Sequence, residues 1–304
     1  VPRIVVVGSL NMDLVVRASR FALPGETITG RAFLTVLGGK GANQAVAARR
    51  LGAEVAMIGR VGDDPFGQAL RRGLAAEGLD VRLVDVTPSA STGVALITVD
   101  DCGENTIVVV PGANGLVSSA DIERALPVVA EADALLLQLE VPLPVVMDAA
   151  RRAHAASVTV ILNAAPAQPL PPMMLPLIDY LVVNETEVLD VAGFATDTPE
   201  AAARALQARG ARTVVVTLGA AGALLLASDG TITSAAGFRV EAVDTTAAGD
   251  AFVGALAVAL AEGATPAEAL QFGNAAGAVT VTRPGAQPSL PTRAAVDALR
   301  ASRC

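Results

Sequence analysis

Four short stretches hold residue types at spacings that can do chemistry. The first, 244-DTTAAGDAFVGALA-257, sets threonines, alanines and a glycine ahead of Asp250 and then continues as an apolar helix. Ala247, Ala248 and Gly249 have almost no side chain, so several main-chain N–H groups can converge on one point where the helix dipole is positive. That arrangement makes an anion site without net charge and puts a carboxylate beside it. The same letters also describe an ordinary capped helix start, with Thr245 or Thr246 as the cap and Asp250 favourable in the first turn.

The second stretch is 38-GGKGANQAVAARRLG-52. Gly38, Gly39 and Gly41 allow the backbone close to a ligand, Asn43 and Gln44 lead into the next helix, and Lys40 is the only lysine in the chain. It is not a Walker A loop, because Leu34 stands where that pattern needs glycine and Gly41 where it needs Ser or Thr. No G-x-G-x-x-G follows a strand, so the usual marker of a dinucleotide site is missing. A plain glycine-rich turn is the alternative.

In 8-GSLNMD-13, Asn11 and Asp13 point to one side if the chain is extended, and an amide with a carboxylate matches vicinal hydroxyls. A simple turn fits as well. In 184-NETE-187, an asparagine and two glutamates at the end of a strand-like run can hold water around Mg²⁺. A capping box explains the same letters, since Asn184 and Glu187 have its spacing. His154, the sole histidine, sits beside Arg151 and Arg152 late in a helix and reads as a solvated cation. Without a second histidine there is no zinc constellation, and no G-x-S-x-G elbow supports a serine nucleophile.

These loops need elements to position them. Apolar runs at 3–8, 54–59, 134–139, 157–162, 180–184 and 213–218 read as buried strands, being continuously apolar rather than alternating. Helical stretches at 42–53, 66–78, 143–155 and 199–210 lie between most of them, which implies βαβ units and a parallel sheet covered on both faces. Residues 11–38 hold no good helix, and 91–112 reads as two strands around a turn, so a small discontinuous β lid is expected there. Two alanine-rich helices, 249–262 and 265–280, follow near the C-terminus. The expected class is therefore α/β, as one domain over 1–304, with ligands bound beyond the carboxyl ends of the strands.

Composition narrows the partners. The 304 residues are 52% hydrophobic and 17% charged, the pattern of a globule with a large core. A formal charge of −8 and 3% aromatics argue against nucleic acid and anionic membrane surfaces. Val1-Pro2-Arg3 runs directly into a strand-like segment rather than a signal-peptide pattern, so a cytoplasmic location is expected. Cys102 and Cys304 are too few for a disulfide framework.

Taken together, GGKGANQAVAARRLG and DTTAAGDAFVGA resemble the two signatures of the ribokinase, or PfkB, family of carbohydrate kinases. The resemblance covers nearly the whole chain, including GDDPFG at 62–67, STGVALI at 91–97, the NETE turn and TRPGAQPS at 282–289. It implies a ribokinase-like three-layer α/β/α sandwich with a mostly parallel central sheet, and a small β-sheet lid that pairs two subunits into a homodimer. It also implies transfer of the ATP γ-phosphate to a sugar hydroxyl. By matching positions, Asp250 would be the catalytic base, and the amides of Ala247, Ala248, Gly249 and Asp250 the anion hole. Asn11, Asp13, Gly39, Lys40, Asn43 and Glu140 would hold the sugar. Asn184 and Glu187 would serve the phosphates and Mg²⁺ through water, while Thr217, Gly219, Gly222 and Asn274 would lie along the nucleotide. A monovalent cation, K⁺, would sit by Asp244, Thr246, Thr280, Arg283, Gly285 and Ser289, with Pro284 inside that loop.

Phosphoryl transfer has a loose, charge-spread transition state, so catalysis is mainly positioning and electrostatic stabilisation. The helix N-terminus is expected to keep Asp250 ionised before the hydroxyl attacks, and lid closure to exclude water. NMD, GGKGAN and QLE together favour the 5-hydroxyl of D-ribose as acceptor. Fructose, deoxyribose or a nucleoside is the alternative, and a non-catalytic sugar-binding protein is disfavoured by the intact GAN, NETE and AAGD stretches.

Overall fold

The computed structural model describes residues 1–193 and 198–302, so Cys304 lies outside the described residues. The elements run β1 (Arg3–Val7), β2 (Asn11–Arg17), β3 (Ala32–Gly38), α1 (Lys40–Arg50), β4 (Glu54–Gly62), α2 (Pro65–Ala76), β5 (Asp80–Thr87), β6 (Gly93–Val99) and β7 (Asn105–Val110). Next come α3 (Ser119–Val129), β8 (Ala134–Leu137), α4 (Leu143–Ala155), β9 (Thr159–Asn163), β10 (Tyr180–Asn184), α5 (Glu187–Ala192), α6 (Pro199–Ala208) and β11 (Thr213–Thr217). The chain continues through β12 (Gly222–Leu226), β13 (Ile232–Ala236), α7 (Ala248–Ala261), α8 (Pro266–Thr280) and α9 (Arg293–Ala301).

Nine strands form the main sheet in the order β13-β12-β11-β10-β9-β8-β1-β4-β5. Seven run parallel, and the β12–β13 hairpin is antiparallel at one edge. β1 shows why the sheet strands read as unbroken apolar runs. Its side chains alternate between faces, and Ile4 and Val6 join one core layer while Val5 and Val7 join the other. Both faces are covered, so every position must be apolar. Helices α1, α7 and α8 pack on the first face, and α3, α4 and α6 on the second.

The strand order reverses at β1. β4 and β5 extend to one side of it, β8 to β11 to the other, so the loops leaving β1 and β8 diverge. That is a topological switch point, where open α/β sheets leave a crevice for ligands. The expected strand at 134–139 stops at Leu137 because the chain leaves the sheet there, and Leu139 donates its N–H to the Ala165 carbonyl instead. The expected start at 157 shifts to Thr159, since Ser157 adopts φ 61° in the turn after α4.

A second sheet has four strands in the order β3-β2-β6-β7. Its inner end places Asn11 between Gly38 of β3 and Gly93 of β6. Phe33, Leu34, Leu96 and the run Ile107 to Val110 are exposed on it. Among the described residues no helix is long and apolar enough to cross a membrane.

Candidate active site

α7 begins without a side-chain cap. Its N-cap is Ala247, held in the left-handed region at φ 61°, ψ 8°, which is uncommon for a residue with a Cβ. The threonine-capped start that the letters also allowed is therefore absent. Ala248 donates its N–H to the Thr245 carbonyl at 3.3 Å. Among the described residues, the N–H groups of Gly249 and Asp250 have no acceptor, as the first turn of an uncapped helix leaves them. A Cβ added at Gly249 would find nothing within 4 Å outside its own helix turn, so the helix start is open at this residue.

Asp250, next in the chain, is 7% exposed. Asn43 Nδ2 donates to its Oδ2 at 3.0 Å and Gln44 Nε2 to its Oδ1 at 3.0 Å. Two consecutive residues of α1 thus hold both oxygens of a carboxylate on α7. The helices can approach this closely because Gly254 lies one turn beyond Asp250, where a Cβ would stand 2.8 Å from that of Ala47. Burial pushes the Asp250 carboxyl above its ordinary range, against the opposing pull of Lys40 and the two amides. The expectation that the helix terminus keeps it readily ionised gives way to desolvation. The outcome is a stronger base than an exposed aspartate.

The sugar-side residues of the sequence reading gather at the switch point. Asn11 Oδ1 accepts from Asn114 Nδ2 at 2.7 Å, and Asn114 also bonds both the N–H and the carbonyl of Leu10. The backbone bonds fix which end of Asn114 is which, and so fix Asn11 with its own NH₂ turned the other way. Asp13 is 8% exposed, and its carboxyl is pushed up to about 7 by burial and by the nearby charges of Glu140 and Asp250. Glu140, on the loop after β8, accepts from the Ser9 hydroxyl and from Lys40 N–H at 3.1 Å. Gly39, at φ 91°, makes that turn, and a Cβ there would stand 2.7 Å from Asn11 N. Burial opposes charge on the Lys40 side chain, but Asp250, Glu140 and Glu187 outweigh it and hold the ammonium above its ordinary value.

Two cavities meet at α7. One of about 230 Å³ is lined by Lys40, Asn163, Asn184, Glu187, Ala247 and Asp250 among others. The other, about 440 Å³, is walled mainly by small and apolar residues including Gly219, Gly222, Phe252, Asn274, Gly277 and Val281. Thr217, Thr245 and Gly249 belong to both. Asn274 donates to the Ala235 carbonyl at 2.9 Å, which fixes its amide. Asn184 and Glu187 form the capping box that their spacing allowed: Asn184 Oδ1 accepts from Glu187 N–H at 2.7 Å, and Glu187 Oε2 from Asn184 N–H at 3.0 Å. Both also line the smaller cavity, so the capping and ligand-facing readings coexist.

The residues assigned to a monovalent cation form a separate group behind this wall. Asp244 accepts from Thr246 N–H at 2.9 Å and Gly285 N–H at 2.8 Å. Burial works against its charge, but these bonds and nearby Arg17 hold its carboxyl below the ordinary range. The Thr280 carbonyl accepts from Arg283 N–H, and the hydroxyls of Thr280 and Ser289 bond the carbonyls of Ala276 and Ala286. Among the described residues, no cluster of three or more His, Cys, Asp or Glu side chains forms a metal cage.

Several site residues carried no role in the sequence reading. Ser9, Asn114 and Asn163 orient others, and Gln44 and Gln138 form a buried chain leading to Asp250. The available signal was a polar residue closing a fully apolar strand, as Asn163 closes TVILN and Gln138 follows ALLL.

The model of the pfkB family carbohydrate kinases matches residues 1–293. A ribokinase of Haemophilus influenzae is 43% identical over 291 residues, covering 95% of each chain. A deoxyribokinase of Salmonella typhi is 38% identical over 293 residues, again 95% of each. The structure of an Arabidopsis thaliana ribokinase complexed with ribose and ATP aligns at a TM-score of 0.90 and 34% identity, covering 98% of both chains. With a match over nearly all of its length, this chain belongs to the pfkB family of carbohydrate kinases.

Proposed function

We propose that this kinase transfers the γ-phosphoryl group of ATP to the 5-hydroxyl of D-ribose, giving D-ribose 5-phosphate and ADP. The observation that carries the reading is Asp250: a buried carboxylate beside unpaired main-chain donors, on the wall where a polar and an apolar cavity meet. The sugar sits against Asn11, Asp13, Gly39, Lys40, Asn43 and Glu140, whose fixed amides, carboxylates and ammonium match a polyol. The 440 Å³ cavity, with its small apolar walls, suits an adenine and ribose, and Thr217, Gly219, Gly222 and Asn274 lie along it.

As the sugar hydroxyl oxygen bonds to phosphorus, its proton passes to the Asp250 carboxylate and the bond from phosphorus to the leaving ADP oxygen breaks. The free N–H groups at the start of α7, with Lys40, stabilise the charge on the transferring oxygens. Mg²⁺, when bound, supplies positive charge to the phosphates. Asn184 and Glu187 can hold it through water, a mode that requires no protein cage. K⁺ suits the loop of Asp244, Thr246, Thr280, Arg283, Gly285 and Ser289, where a depressed carboxylate stands among carbonyls.

In this reading the chain is one domain, the four-stranded sheet is a lid over the sugar, and its exposed apolar side chains pair two copies into a homodimer. ATP as donor agrees with a cytoplasmic location. Deoxyribose is the second acceptor to consider, because the Salmonella relative bears that name. Pentoses, hexoses and nucleosides assayed with MgATP decide the matter. The expected result is a clear kcat/KM preference for D-ribose, and preference for any other acceptor rejects the assignment.

A further inference from the structure

We propose that Gln44 is a positioning residue for phosphoryl transfer, fixing the plane of the Asp250 carboxylate from behind without touching either substrate. The inference rests on the reading of Asp250 as the base.

Gln44 is completely buried. Both hydrogens of its amide are engaged, at 3.0 Å to Asp250 Oδ1 and 3.0 Å to Asn163 Oδ1. Its own carbonyl accepts from Gln138 Nε2 at 2.7 Å. The direction of this chain is set by the backbone. Asn163 Nδ2 donates to the Val182 carbonyl at 3.3 Å, and a carbonyl can only accept. Asn163 must therefore present its oxygen to Gln44, Gln44 its nitrogen to Asn163 and Asp250, and Gln138 its nitrogen to Gln44. From Gln138 through Gln44 the donors run toward the carboxylate, while Asn163 accepts the second Gln44 hydrogen and so fixes the amide's orientation.

Asp250 needs that support because the last torsion of an aspartate is soft and roughly two-fold. Asn43 alone would leave a single bond at Oδ2 as a pivot. With Gln44 at Oδ1 the plane is held at two points. Among the described residues, two acceptors in the same network, Gln138 Oε1 and Asn43 Oδ1, are buried without a partner. An unmet buried acceptor is destabilising, so stability alone does not account for the arrangement. Gly8 also keeps the space open, since a Cβ there would lie 1.9 Å from Gln138 Oε1.

The test compares Gln44→Met, which keeps the size and loses the bonds, with wild type and Asp250→Asn. D-ribose binding is measured by calorimetry without nucleotide, and kcat by ADP release. Gln44→Met is expected to bind D-ribose within about threefold of wild type while kcat falls roughly 10- to 100-fold, the scale of a misplaced catalytic group. A kcat within about twofold of wild type, or losses of kcat and binding in step, overturns the inference. If Gln44→Met does not fold, Gln44→Glu decides: it keeps the shape but has at most one donor, and wild-type kcat in it likewise overturns the proposal. Asp250→Asn separates the two levels. If it turns over normally the base assignment is wrong, whereas an inactive Asp250→Asn with a normal Gln44→Met removes only the role of Gln44.

Discussion

The two cavities that meet at Gly249 are built by opposite means. The smaller cavity is lined by polar side chains, among them Lys40, Asn163, Asn184, Glu187 and Asp250; of the residues assigned to the sugar in the proposed reading, several are oriented by a second polar group behind them, as Asn114 orients Asn11 and Ser9 orients Glu140. The cavity assigned to the nucleotide is walled mainly by glycine, alanine and a few larger apolar residues such as Phe252 and Val281, and its 440 Å³ volume is largely apolar. Fixed donors and acceptors reject a sugar with a misplaced hydroxyl, because a buried group would lose its partner. A smooth apolar slot ending in free N–H groups holds any ligand with a flat base and a phosphate tail. In the proposed reading, discrimination is concentrated on one side of the wall and charge stabilisation on the other.

The sharpest break in that division is Asp250→Asn. It removes the proton acceptor at the shared wall while preserving its size, so kcat is expected to fall about 10²- to 10⁴-fold. D-ribose and ATP affinities, measured separately by calorimetry, should change little. A large loss in either affinity would mean that Asp250 serves binding more than chemistry.

Asp13→Asn tests the cost of building with buried charge. The Asp13 carboxyl titrates near 7 in the folded protein and near 3.8 unfolded. Between those values the folded chain keeps a proton that the unfolded chain has lost. The Asp13 contribution to wild-type stability therefore falls as pH rises through this window and is level above it, alongside a fall of the same sign from Asp250. Removing the Asp13 carboxylate should take its share out of that fall and stabilise the unliganded protein at pH 8 by roughly 4 kcal/mol, while weakening D-ribose binding. Parallel denaturation curves for the two proteins from pH 4 to 8 would contradict the assignment of Asp13 as a strained, functional carboxylate.

The complementary substitution belongs to the other cavity. Ala278 is a half-buried wall residue of the apolar slot. Ala278→Phe should raise KM for ATP about tenfold by filling space, the usual scale for a pocket altered by one apolar group. D-ribose binding without nucleotide should be unchanged. An equal loss on both sides would show that the two cavities are not separately built.

The same contrast explains what could be read from the letters. β1, β4 and β8 to β11 were legible because both faces of the sheet are covered, so their central residues form unbroken apolar runs. β5 and β13 lie at the sheet's edges with mixed burial, and their patterns resemble loops. In the site, Asp250 and Lys40 stood out as lone charges in bare, glycine-rich stretches. Gln44 and Gln138 did not, since their partners lie 94 to 206 positions away in the chain. A polar side chain buried at a crossing of distant elements has no local signature. The anion site was visible only as missing side chains, and whether threonine caps closed it depended on the backbone at Ala247.

Gly249→Ala gives the smallest effect and the finest separation of fold from function. Gly249 lies in the first turn of α7, and its φ is outside the left-handed region. A methyl group there meets no atom within 4 Å beyond its chain neighbours and its own helix backbone. For folding, alanine is the better helix residue by about 0.5–1 kcal/mol, so the unliganded variant should be slightly more stable. Gly249 also lines both cavities, and in the proposed reading the transferring phosphoryl group approaches the N–H donors there. Turnover should therefore fall several-fold while the melting temperature rises or holds. Unchanged turnover in a stabilised Gly249→Ala protein would mean that the phosphoryl group travels elsewhere, and that the open space above this glycine belongs to the helix alone.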